Sequence, residues 1–127
     1  MIASNDDTLG IWEIIATDPY ITKTLGFEPE NIKRFKNSPD MITQYNKEIH
    51  IYPSTAEDSR SKIQKIQIYQ IDFFVVAEDY NLANEAKDQC IALLQDKMLK
   101  HFHRLELNHP GLILAVPPSN YGVAIRF

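Results

Sequence analysis

Histidine is the side chain best suited to proton transfer and metal ligation near neutral pH, and the chain has four of them. His101 and His103 sit two apart, whereas two ligands on one helical face need i, i+4 spacing. His50 lies in an alternating run, Glu48-Ile-His-Ile-Tyr52, and His109 precedes the turn dipeptide Pro110-Gly111. No carboxylate motif frames any of them, so no metal site is expected. Cys90 is the single cysteine; it has no disulfide partner within the chain and reads as a small buried apolar residue.

Among the acids, Glu48, Asp72 and Glu78 could line a sheet. A nuclease of the Pro-Asp…Asp/Glu-x-Lys type needs an acid two residues before a strand lysine. Pro39-Asp40 supplies the first half, but Arg60 and Ile63 occupy the positions two before Lys62 and Lys65. Glu85-Ala-Lys87 has the spacing but falls on an expected helix, as an ordinary solvated pair. Asp72 is the most unusual residue, an acid in an apolar strand. It reads as a polar group on an outer or inter-subunit face, with a buried functional carboxylate as the sharper alternative. Gly10, Gly26, Gly111 and Gly122 are scattered and make no phosphate loop, and no serine sits in a nucleophile elbow. No catalytic, cofactor or metal residue is assigned, and the chain is not expected to be an enzyme.

The net charge is −4, with a pI near 5.5. That mild acidity argues against a nucleic-acid-binding module. The clusters Lys33, Arg34, Lys36 and Arg60, Lys62, Lys65 read as solvated faces. The acidic N-terminus has no basic, then apolar, leader pattern, and no apolar run reaches membrane-span length. A soluble protein of reducing cytoplasm is the expectation.

The elements that would position these groups follow from periodicity. Asp6, Asp7 or Thr8 can cap a helix over Leu9 to Thr17, with Leu9, Trp12, Ile15 and Ala16 on its apolar stripe. Asp18-Pro19 reads as a cap followed by proline at the first helical position, opening a short helix that Gly26 ends. Phe27 to Asn46 is irregular, with one short element around Ile32 to Phe35 and a turn at Asn37–Asp40. Glu48–Tyr52 is a strand, and the polar Pro53–Ser61 is a flexible connection. Lys62 to Ala77 then reads as one very long strand, longer than the usual ten residues or so. A helix follows from about Leu82 to Phe102, with Leu82, Ala83, Ala86, Cys90, Ile91, Leu93 and Leu94 inward. Arg104–Leu107, Leu112–Val116 and Tyr121–Phe127 are further strands. The order implies an α+β fold: a mixed or antiparallel sheet with a long helix and an N-terminal helix on one face. A single domain over residues 1–127 is expected, with residues 1–7 a mobile lead and residues 53–61 a flexible loop.

Alternation divides the long strand. Tyr69, Ile71, Phe73 and Val75 should face the core. Ile66, Ile68, Gln70, Asp72 and Phe74 lie on the other face, which one helical layer leaves open. That face, with Ser54, Thr55, Glu57, Asp58 and Arg60 of the connection and Lys62 at the start of the strand, is either the contact with another copy or a face that the N-terminal helices or C-terminal strands cover within the monomer.

The layout resembles the tail-completion or tail-terminator proteins of long-tailed bacteriophages and prophages. The carrying segments are Leu9–Thr17, Glu48–Tyr52 joined to Lys62–Ala77, Leu82–Phe102 and Tyr121–Phe127. The phrase Ile68-Tyr-Gln-Ile-Asp-Phe-Phe-Val75 with the polar break Glu78–Asn81 is the closest local match. Pro19–Asn46 is longer than the family's helix-to-strand link, and a head-closure or minor capsid neck protein shares the same layout. The resemblance implies a non-enzymatic virion protein, made in the host cytoplasm and placed in the tail or neck. It also implies a homo-oligomeric ring, commonly a hexamer, contacting the tail-tube protein and head connector proteins, with no membrane and no specific nucleic-acid binding. The reading from another class is a small ligand-binding regulatory α+β domain or hydrolase, with Asp72 or Glu78 in a cleft.

Overall fold

A five-stranded mixed sheet with two helices against one face forms the body of the protein, as seen in a computed structural model. It describes residues 5–35, 41–43, 45–54, 57–58, 65–66, 68–98, 105–107, 109–116 and 119–127. Helix α1 spans Asn5–Ala16 and helix α2 spans Tyr80–Leu94. The strands are β1 (Ile32–Arg34), β2 (Glu48–Pro53), β3 (Glu57–Asp58), β4 (Lys65–Ile66), β5 (Tyr69–Val76), β6 (His109–Ile113) and β7 (Asn120–Arg126). The sheet order is β1-β2-β5-β7-β6, while β3 and β4 make a separate two-stranded ribbon. Only β1–β2 is parallel. The α+β class expected from the order of elements is therefore observed.

Alternation places Tyr69, Ile71, Phe73 and Val75 toward the helices, where they join Ile49, Ile51, Val123 and Ile125 in the main core. Helix α2 lays Ala83, Ala86, Cys90 and Leu94 on this layer. Their spacing of three or four residues makes one apolar stripe, and the alanines let the helix approach closely. Helix α1 covers the β1–β2 side with Ile11 and Ile15. Leu9, expected on that stripe, is 38% exposed. Asp7 and Thr8 are buried instead, because Tyr69 Oη donates to Asp7 Oδ2 at 2.8 Å and turns the first helical turn inward.

Several expected boundaries move. Over its described residues the expected strand Lys62–Ala77 is β4 and β5, two strands in different sheets, with Ala77 already in the turn before α2; residues 62–64 and 67 lie outside the described residues. The helix expected to reach Phe102 ends at Leu94: Asp96 adopts a left-handed φ of 65°, and its N–H donates to Leu105 O at 2.9 Å. Leu105 N also donates to Lys97 O, so the chain doubles back and buries Leu105 in the core. Arg104–Leu107 is no strand over Leu105–Leu107, and Arg104 lies outside the described residues. The last two strands begin earlier than expected, at His109 and Asn120.

The short helix after α1 is a five-residue turn, Tyr20–Thr24, and Asp18 Oδ2 accepts from Ile21 N at 3.1 Å as its capping position implies. Gly26 ends it at φ 82°, a conformation glycine adopts without strain. The short element expected at Ile32–Phe35 is β1. The turn expected at Asn37–Asp40 lies outside the described residues, apart from its flank at Phe35.

Candidate functional site

Every residue singled out on the second face of β5 has neighbours set by register. His50 of β2 is opposite Asp72, which is opposite Ala124 of β7; Tyr52 is opposite Gln70, which is opposite Arg126; Glu48 is opposite Phe74, which is opposite Gly122. Lys33 of β1 stands beside His50. Sheet pairing thus gathers polar groups from four strands into one array.

The array has two halves. In the first, Glu48 Oε1 lies 2.6 Å from His50 Nε2, and Glu48 Oε2 lies 3.7 Å from Lys33 Nζ. The His50 ring tilts against Phe74 with centroids 4.8 Å apart. In the second half, Tyr52 Oη donates to Asp72 Oδ2 at 2.9 Å, and Gln70 Nε2 donates to Asp72 Oδ1 at 2.8 Å. Gln70 Nε2 is also 2.7 Å from Tyr52 Oη, and Arg126 Nε donates to Gln70 Oε1 at 2.8 Å.

Burial sets the chemistry. Glu48, His50 and Asp72 are 1%, 0% and 2% exposed. Burial pushes the Asp72 carboxyl above its ordinary value, against the hydrogen bonds from Gln70 and Tyr52 and the positive charge of His50 and Arg126. Burial, then the neighbouring Asp72 carboxylate, hold the Tyr52 phenol well above its usual range, so Tyr52 acts as a donor. Cys90 is fully buried, and burial, then Asp18, push its thiol up, which keeps it an inert packing residue.

An acid and an imidazole in hydrogen-bond contact have the parts of a general base, but a side chain closed to solvent cannot meet a substrate without the sheet opening. What this array does in place is link Glu48 to His50 and join Tyr52, Gln70, Asp72 and Arg126 across β2, β5 and β7, which fixes strand register. Among the described residues, no group of three or more His, Cys, Asp or Glu has metal-site geometry.

Ile68, Gln70, Asp72 and Phe74 were expected on a face left open to a second copy. They are 3%, 5%, 2% and 2% exposed in the single chain, which matches the alternative in which the monomer itself covers that face. Sequence reading set Asp72 apart and placed it with Glu48 on a sheet, but missed His50, Tyr52 and Arg126 as its company. Ser54 is half-buried, and its N–H donates to Ile68 O at 2.7 Å. Glu57, Asp58 and Ile66 lie in the ribbon beyond the sheet. Thr55, Arg60 and Lys62 lie outside the described residues. Glu78 is in the half-exposed turn Ala77–Asp79 before α2, apart from the buried array.

One likeness comes from structure. The fold resembles a chain of a solved assembly described as the virion of a native gene transfer agent (GTA) particle, with a TM-score of 0.61 at 13% sequence identity. The match covers 94% of this chain and 90% of that one. No protein-family model matches the chain, and no curated protein sequence does. At that identity the likeness establishes a shared fold across nearly the whole of both chains. Among the described residues no helix is long and apolar enough to cross a membrane.

Proposed function

We propose that the chain is a non-enzymatic structural protein of a phage-like particle. It acts in the neck as a tail-completion or tail-terminator ring that ends the tail tube and joins tail to head. The observation that carries this reading is the end-to-end fold likeness to a chain of the gene transfer agent virion. The layout of helix, joined strand pair, helix and closing strand supports it from the sequence side. The partners are then other copies of this chain, in a ring that the family resemblance puts at six, together with tail-tube and head connector proteins. Its place is the virion, after assembly in the host cytoplasm.

A head-closure or minor capsid role in the same neck fits the same fold. The hydrolase reading is disfavoured by a specific feature: the only described clustering of acids with an imidazole is closed to solvent and internally hydrogen-bonded. The test is mass by light scattering on the purified chain, alone and with the cognate tail-tube protein. A ring in either case supports the reading; a strict monomer in both overturns it.

A further inference from the structure

The two edges of the five-stranded sheet differ. On the β1 edge, Trp12 Nε1 of α1 donates to Ile32 O at 2.6 Å, so a helix side chain caps an outward carbonyl. On the β6 edge, Leu114 N donates to Gly122 O and Leu112 is opposite Ala124. In an antiparallel pair, bonded and non-bonded positions alternate, so the N–H and C=O of Ile113 point away from β7. The first half of this edge is closed: Pro110 has no N–H, and Gly111 N donates to His109 Nδ1 at 3.2 Å. The half from Ile113 to Ala115 is open, and the Ile113 side chain is 82% exposed.

A second incomplete element lies at one end of the sheet. Tyr69 and Phe127 exchange both backbone hydrogen bonds at 2.9 Å, which closes the five-stranded body. Beyond that line the β2–β5 hairpin continues as β3 and β4, paired only with each other among the described strands. Between the described pairs Pro53↔Tyr69 and Glu57↔Ile66 the register is offset by one residue. A lone two-stranded ribbon is marginally stable in water and gains from a third strand.

The geometry points to one contact that completes both elements: the β3–β4 ribbon of one copy pairs with the Ile113–Ala115 edge of the next, by strand addition. Because the ribbon and the edge are different surfaces, the contact is head-to-tail, and repetition closes a ring when the rotation permits. The inference rests on the ring reading above and names the surface that would build it.

The test has two arms. Ile113→Pro removes one outward N–H and leaves the bonds of Leu112 and Leu114 to β7 in place, while Ile113→Ala keeps that N–H. The proline variant should need about tenfold more protein to assemble, and the alanine variant much less than that, with melting curves reporting the fold of each. In the second arm, Glu57→Cys chains are mixed with Ile113→Cys chains and oxidised; buried Cys90 stays out of the reaction. A 57–113 cross-link exceeding the 57–57 and 113–113 products supports the contact. Rings that form without the mixed cross-link overturn this inference and leave the ring reading standing. A wild-type chain that is monomeric alone and with the tail-tube protein overturns both.

Discussion

Asp72→Asn separates the hydrogen bonds of the buried array from its charge. Asparagine keeps the shape and one acceptor oxygen, so the Gln70 bond survives, while the Tyr52 O–H loses a charged acceptor. A hydrogen bond to a charged group contributes about 1.5–3 kcal/mol, and a neutral replacement recovers part of that. Against this stands the burial that raises the Asp72 carboxyl above 3.8. Below that value both folded and unfolded chains carry Asp72 protonated, and burial extracts no charge penalty. As pH climbs through the raised folded value, the native state must hold a buried carboxylate, and its stability falls. Each pH unit of displacement corresponds to about 1.4 kcal/mol. The asparagine variant lacks this fall. Urea unfolding of both proteins at several pH values between about 3 and 8 measures the difference. At pH 3, where Asp72 is protonated and Tyr52 faces a neutral group in both proteins, the two should be close in stability, and the wild type should lose stability relative to the variant as pH rises toward 8. A difference that stays constant with pH, or that moves in the wild type's favour as pH rises, would refute the reasoning that burial dominates the Asp72 environment.

Other perturbations probe the remaining contacts. Tyr69→Phe removes the donor to buried Asp7 and should destabilise by about 1–3 kcal/mol, or about 3–10 °C in melting temperature, read by calorimetry. Gly122→Ala should destabilise by about 1–3 kcal/mol, because its Cβ would come within 3.1 Å of Leu114 Cβ and 3.2 Å of Val116 Cγ1. Gly26→Ala should cost about 1–2 kcal/mol from the φ of 82° alone, measured in the same urea series. Cys90 should resist a thiol reagent in the native protein and react at once in denaturant; rapid native labelling would contradict its burial.

Much of the fold was legible because its local signals agree with its packing. The run Tyr69-Ile-Phe-Val on alternate positions marked the core face of β5, and Ala83, Ala86, Cys90 and Leu94 marked the inward stripe of α2. The end of α2 was hidden because Gln95 to Lys100 is as helix-compatible as what precedes it. The stop comes from Leu105 folding back onto the core, a contact between distant residues. The split between β4 and β5 was hidden for a similar reason. Ile66 and Ile68 continue the alternation, and nothing local shows that pairing with the neighbouring strand β7 stops at Tyr69, opposite Phe127.

The second face is buried within the single chain for a cause that bears on assembly. Gln70 and Asp72 look like solvent-facing residues when β5 is considered alone, since a single strand cannot reveal what stands opposite. Pairing with β2 and β7 brings Tyr52, His50 and Arg126 beside them, and their polar atoms are then satisfied within the sheet. Breaking such an array to make an interface would expose buried polar groups whose desolvation is already compensated, and each bond lost there would have to be replaced across the contact. The backbone of Ile113 and the ribbon β3–β4 carry no such penalty, because neither must leave a partner in the described chain to gain one. A subunit built this way keeps its register through the polar array and leaves association to backbone groups at an edge. Single side-chain changes on the β5 face should therefore alter stability before they alter assembly, and changes at Ile113 should do the reverse.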